Sequence, residues 1–151
     1  MPTIATGIDE LKALAGADLG ATEWFPIEQD RVNLFADATD DHQWIHVDPQ
    51  RAADGPFGAA IAHGYLTLSL LIPLFNQLLE VRGVSMSINY GLEKVRFPSP
   101  VKVGAKIRLL GRVERVDEVA GGVQMALAFT VENDGSAKPA CVAQALYRHY
   151  A

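Results

Sequence analysis

Apolar residues recur along this chain with two periods, and the change from one to the other divides it. Ile8, Leu11, Leu14 and Ala15 share one helical face and Gly16 follows them, so residues 8–15 are expected to form a short leading helix. Trp24, Phe25 and Ile27 mark residues 21–27 as a strand, with Pro26 placing it at an edge or a strand end. A second helix is expected from Glu28. Its acidic residues Glu28 and Asp30 suit a positive N-terminal end, while Val32, Phe35 and Ala36 recur at i, i+3 and i+4. After a polar loop comes a small helix with Asp48 as N-cap, Pro49 at its first position and Gly55 just past its end. From about Gly64 to Leu79 the leucines and isoleucines occupy every side of a helix, which predicts one enclosed by protein. Pro73 should kink it, because it removes a backbone donor and crowds the carbonyl of Ser69.

The period then falls to two. Val84, Met86, Ile88, Tyr90 and Leu92 alternate with Ser85, Ser87, Asn89 and Gly91; the apolar parity shifts to Val95 and Phe97, predicting a bulge or break near Glu93. Leu92, Val95 and Phe97 are expected in the core. Val103 to Glu114 and Val123 to Val131 alternate in the same way, Asn133-Asp134-Gly135 reads as a turn, and Cys141 to Tyr150 as a last strand. Consecutive strands with short links imply an antiparallel sheet curled round the long helix, an α+β arrangement. Pro98-Ser99-Pro100 and Gly121-Gly122 read as turns within one domain spanning residues 1–151.

Composition narrows the partners. Thirteen Lys and Arg against eighteen Asp and Glu give a net charge of -5, which argues against a nucleic-acid partner held by bulk positive charge. Cys141 is the single cysteine, so an intrachain disulfide and a multi-cysteine metal cluster are excluded and a reducing cytoplasmic setting is the simplest expectation. Residues 1–14 carry Asp9 and Glu10 and lack the form of an export signal. The most apolar window, Tyr65 to Leu79, falls short of the roughly twenty residues of a membrane span.

The chemistry concentrates in Thr39-Asp40-Asp41-His42-Gln43-Trp44-Ile45-His46. An acid and an imidazole five residues apart in a loop can converge on one water or one substrate proton. A turn in which Asp and His merely cap backbone is the plainer alternative. Trp44 and Ile45 between the polar residues place the loop against a core, where ionisable groups need a partner or a use. His42 is expected to face solvent, and His63 to bond backbone or pack at the entrance of the long helix. Asp41, His42, His46 and Asp48 lack a recognised metal-ligand spacing, and no metal is expected.

A long helix wrapped by a curled sheet resembles the hotdog fold, and Phe35 to Ala52 resembles the signature of the MaoC-like dehydratases, the (R)-specific enoyl-CoA hydratase group. Phe35, Thr39, Asp41, Ile45, His46 and Ala52 fall on its positions. Ala38 is smaller than the usual residue, Asp40 stands in place of Gly, Gln43 of Asn and Trp44 of Pro. Ile61-Ala62-His63-Gly64-Tyr65-Leu66 is similar to the family's entry into the central helix, and Val95 to Val101 with Gly104 to its later strand-turn-strand; the likeness is closest to the nodulation-protein-N-like subgroup.

The resemblance implies reversible hydration of trans-2-enoyl-CoA to (R)-3-hydroxyacyl-CoA, with Asp41 and His46 sharing the proton handling in an order left open. It implies that the Gly64 N–H holds the thioester oxygen, that Gln43 supports the pair, and that no separate cofactor is needed, coenzyme A being part of the substrate. Tyr65, Lys94 and Arg96 are expected to touch substrate, within a cationic rim that also draws on Lys102, Lys106, Arg108 and Arg112. A homodimer joined sheet edge to sheet edge, with sites across the interface, is implied too. The same fold also provides acyl-CoA thioesterases, and a non-catalytic acyl-thioester-binding subunit is the third possibility.

Overall fold

A computed structural model describes residues 1–151. Its larger sheet contains β2 (Asp18–Ala21), β3 (Phe25–Pro26), β5 (Met86–Arg96), β6 (Lys106–Val119), β7 (Gly122–Asn133) and β8 (Cys141–Tyr150). They run antiparallel in the order β2-β6-β7-β8-β5, with β3 continuing beside β6. A second, parallel pair joins β1 (Thr3–Thr6) to β4 (Leu79–Arg82). The helices are α1 (Gly7–Lys12), α2 (Gln29–Thr39), α3 (Trp44–Val47), α4 (Pro49–Ala53), α5 (Gly64–Ser69) and α6 (Leu71–Leu78). This is the α+β hotdog arrangement, with α5 and α6 as the wrapped axis.

The core lies where α5 and α6 meet the concave face of the sheet. Leu66, Leu70, Leu71, Leu74, Phe75 and Leu78 pack there with Leu109, Val113, Met125, Leu127 and Phe129, all buried. Phe75, Phe129 and Tyr147 form a tilted aromatic triangle with centroids 5.3–6.0 Å apart. Edges of one ring against the face of another suit their quadrupoles, so the cluster adds orientation to bulk burial.

The central helix is interrupted at Leu70, one turn before Pro73. Proline leaves the Ser69 carbonyl without its helical donor, and the break falls beside that vacancy. The helix is not enclosed on every side. Tyr65, Ser69, Ile72, Pro73, Asn76 and Gln77 form an exposed strip, because the sheet wraps only the opposite face.

Three further expectations change. The strand placed at 21–27 is two short pieces, β2 ending at Ala21 and β3 at Phe25–Pro26, and Trp24 between them is exposed while Ile27 is buried. The leading helix ends at Lys12, with the chain turning through Gly16 at φ +84. β1 and β4 were not legible from the alternation, since each is only four residues long.

β5 carries two irregularities. Asn89 pairs Tyr147 while Gly91 pairs Leu146, and Leu92 pairs Ala145 while Lys94 pairs Gln144, so Tyr90 and Glu93 each have no partner. The expected break at Glu93 is present, preceded by a second. Residues paired across a ladder share a face, and the inward residues of β8 include Ala143, Tyr147 and His149. Ser87, Asn89, Leu92 and Val95 therefore face inward, while Met86 and Ile88 face outward, opposite to what the apolar alternation implied. Leu92 and Phe97 are 41% exposed rather than core residues. An edge strand has one neighbour only, so apolar side chains on it need not mark the buried face.

Candidate active site

Each wall of the site follows from a local rule. α2 ends at Asp40, whose φ of +59 and ψ of +25 make it the one non-glycine residue with positive φ. The short carboxylate side chain tolerates this left-handed conformation better than most, which explains how Asp40 stands where the related pattern has glycine. Asp41 follows directly and its side chain is exposed.

His46 lies within α3 rather than in a loop, and its side chain is 7% exposed. Asp48 ends α3 and caps α4, its Oδ1 accepting from the Arg51 N–H at 3.1 Å. Trp44 fills the space where a Cβ on Gly55 would meet its ring at 2.9 Å, and the Arg51 guanidinium lies over that ring at 4.4 Å. These contacts seat α3 and α4 as one unit.

His46 Nδ1 is 2.7 Å from the Ile61 main-chain oxygen. A carbonyl only accepts, so Nδ1 carries the proton and Nε2 is left as a bare acceptor in the neutral ring. Burial lowers the His46 pKa; the Ile61 carbonyl opposes this, His63 adds to it, and Asp41 opposes it. From the other side, Gln29 Nε2 donates to the His46 main-chain oxygen at 2.8 Å.

His63, the N-cap of α5, stacks on His46 with ring centroids 3.9 Å apart and planes 23° apart. Its Nε2 is 2.9 Å from the main-chain oxygen of Asp41. Side-chain ligand atoms of Asp41, His46 and His63 all lie within 4.8 Å of one another. The structure therefore brings the expected acid and imidazole together at the entrance of the central helix. A cavity of about 320 Å³ opens beside His46, lined also by Ile61, Ala62, Gly64, Thr67, Phe97 and Pro100 among others.

Gly64 begins α5, so its N–H lacks an intrahelical acceptor. A Cβ there would sit 3.2 Å from the Phe97 ring, so the close approach of Phe97 uses the absence of a side chain. Ser99 and Asn133 brace the floor: Asn133 Nδ2 donates to Ser99 Oγ at 3.1 Å and to the Pro100 oxygen at 2.9 Å.

The remaining expected residues are more dispersed. Gln43 is exposed; its backbone oxygen accepts from His46 N–H at 3.0 Å, and its N–H is 3.4 Å from Asp41 Oδ1. Tyr65 is 71% exposed, with its ring 6.5 Å edge-on to Phe97. Lys94, Arg96 and Lys102 are exposed near the Phe97 to Pro100 side. Arg108 is committed elsewhere, paired with Glu132 at 2.5 Å and lying over Trp24 at 4.6 Å. His42 faces solvent and meets Asp37 at 2.9 Å. Sequence reasoning missed Gln29 and Ile61, whose contributions are a long-range contact and a main-chain oxygen.

A larger cavity, about 460 Å³, lies at the far end of the central helix between Ile72, Phe75, Leu79, Ser87, Tyr147 and His149. It has no Asp and His pair like that of the first, so the smaller cavity is the better candidate for chemistry.

Residues 10–134 match the model of the MaoC like domain. The chain is 54% identical over 145 residues to 3-hydroxyacyl-thioester dehydratase Z of Mycobacterium tuberculosis, covering 95% of this chain and 96% of that one. It is 45% identical to Nodulation protein N of Rhizobium meliloti, covering 90% and 86%. Among solved structures, the (R)-hydratase from A. caviae involved in PHA biosynthesis superposes with a TM-score of 0.71 at 25% identity, covering 88% and 94%. R-hydratase PhaJ1 of Pseudomonas aeruginosa superposes with a TM-score of 0.76 at 24% identity, covering 95% and 85%.

Proposed function

Since the chain belongs to the MaoC-like dehydratase family, we propose that it catalyses the reversible hydration of trans-2-enoyl-CoA to (R)-3-hydroxyacyl-CoA. The observation that carries this reading is the approach of Asp41 to within 4.8 Å of a ring nitrogen of His46, which lines a cavity together with Gly64. A water held between a carboxylate and a neutral imidazole meets two acceptors, which aligns its oxygen for attack on C3. As the C3–O bond forms, the water loses one proton to the pair and the double-bond electrons move to C2 and the thioester oxygen. The Gly64 N–H stabilises the charge gathering on that oxygen. The proton held by the pair then passes to C2, so one water has been added and the side chains are restored. Hydration is redox-neutral, and no step of this scheme calls on a metal or redox cofactor.

Gln43 supports the pair through its backbone contacts. Tyr65, edge-on to the cavity residue Phe97, is assigned to substrate contact, and the exposed Lys94, Arg96 and Lys102 to the anionic nucleotide end of coenzyme A. Two copies join along β5, an edge strand of the larger sheet, which otherwise exposes Tyr90 and Leu92 beside open backbone groups. No helix is long and apolar enough to cross a membrane. The single cysteine, buried and free, suits a reducing cytoplasmic setting for the reaction.

Crotonyl-CoA tests the reading. Loss of the conjugated enoyl absorbance without release of free thiol is expected; thiol release would assign the cavity to a thioesterase, and no turnover at all would leave a binding subunit.

A further inference from the structure

His63 has no part in the scheme above, yet it is 3% exposed and touches both members of the acid and imidazole pair. Its Nε2 faces the main-chain oxygen of Asp41 at 2.9 Å, and a carbonyl can only accept, so Nε2 carries the proton. Nδ1 is buried without a hydrogen-bond partner. The nitrogen that holds the loop is therefore Nε2, and Nδ1 takes no part in that bond. Phe35 closes the other side of the ring, with centroids 4.9 Å apart.

The geometry points to His63 as a positioning residue that ties the start of the central helix to the acid-bearing loop. It acts through Asp41 and His46 rather than on substrate, and it rests on the hydratase reading. Main-chain connectivity gives the tie its reach. His63 immediately precedes Gly64, and its own carbonyl accepts from Leu66 and Thr67 N–H at 3.0 and 3.2 Å. The side chain that meets the Asp41 main-chain oxygen thus grows from the residue that caps α5. Its flat contact also limits tilting of the His46 ring about the bond to Ile61. One side chain thereby sets the separation between the water-holding pair and the Gly64 N–H.

Two substitutions separate the donor from the ring. His63→Phe keeps an aromatic slab and removes the donor; His63→Gln keeps an N–H near the same place and removes the ring. Misplacement of about 1 Å can cost on the order of 100-fold in rate, so His63→Phe is expected to lower kcat on crotonyl-CoA by about that factor with KM changed less than about threefold. His63→Gln is expected to recover most of the loss. Equal loss in both variants would overturn the proposal by making the imidazole itself a proton carrier. So would wild-type kcat in His63→Phe, or a loss confined to KM.

Nitrogen NMR of the unsubstituted protein gives a readout independent of turnover and of variant folding. The expected result is a proton on His63 Nε2, toward the Asp41 oxygen; a ring with its proton on Nδ1 and Nε2 bare would overturn the assignment. Should the wild type leave crotonyl-CoA untouched, the hydratase reading falls, while the tautomer and the Asp41 amide shift in His63→Phe still decide whether the tie exists.

Discussion

Gln29 Nε2 donates to the main-chain oxygen of His46 at 2.8 Å across seventeen residues of sequence, joining the first turn of α2 to the helix that carries the imidazole. The same amide donates to Asn33 Oδ1 at 2.9 Å along its own helix. With the Ile61 oxygen on Nδ1, His46 is held at both its backbone and its ring. Gln29→Leu leaves the His46 oxygen without its donor, and such a loss is typically worth about 1 kcal/mol. A fall of that size in denaturant stability, with a reduced kcat, is the expected outcome; unchanged kcat would show that backbone anchoring of α3 does not matter to turnover.

Asp41→Asn and His46→Gln test the pair directly. Each keeps approximate shape while removing an acid or base, and a positioned proton-transfer group contributes about 100- to 10,000-fold. Both variants are expected to fall in kcat within that range, with melting temperatures near that of the parent. Steady-state kinetics with crotonyl-CoA decides, and survival of either variant at full rate would remove that residue from the mechanism.

Asp40 tests the turn before the site. Its positive φ costs an ordinary side chain about 1–2 kcal/mol relative to glycine, and Asp is among the better-tolerated residues there. Asp40→Gly is expected to match or exceed the parent in thermal stability, while Asp40→Val is expected to fall below it and lose activity as Asp41 shifts. Equal melting temperatures for the two would mean that the left-handed conformation is not maintained.

Acid should destabilise the fold in a way traceable to particular rings. Burial lowers the pKa of His149 from its ordinary 6.5, and burial is also the leading cause of the lowered value at His46. The unfolded chain therefore binds more protons than the folded one as pH falls through that ordinary value, so this contribution is intact above about pH 6.5 and is lost on further acidification. Ser87 Oγ meets His149 Nδ1 at 2.7 Å while Nε2 has no partner. Melting temperatures followed downward from about pH 8 are expected to decline less steeply in His149→Phe. A slope identical to the parent would acquit His149.

Much of this was legible in the residues themselves, for local reasons. The Asp48 cap, the second helix from Glu28 and the disturbance at Glu93 follow from rules that act over a few neighbours. The acid and imidazole spacing put Asp41 beside His46, as the structure does. What escaped was non-local. Nothing near Gln29 announces His46, and Ile61 contributes an oxygen that every residue has. The inward face of β5 escaped because an edge strand can turn Met86 and Ile88 outward and leave the exposed Ser87 and Asn89 on the face that lines the cavity beside Tyr147 and His149. The exposed strip on the central helix was misread for a related reason: leucine-rich sequence reports affinity for cover, not whether this chain alone provides it.

The two unpaired residues of β5 mark where this strand can shorten. Neither Tyr90 nor Glu93 has a partner on β8, so losing either would straighten a bulge and leave Val95 opposite Ala143. Descendants of this gene can drop a residue at those two positions while the stretch leading to Phe97 keeps its face, and gaps among relatives should gather there.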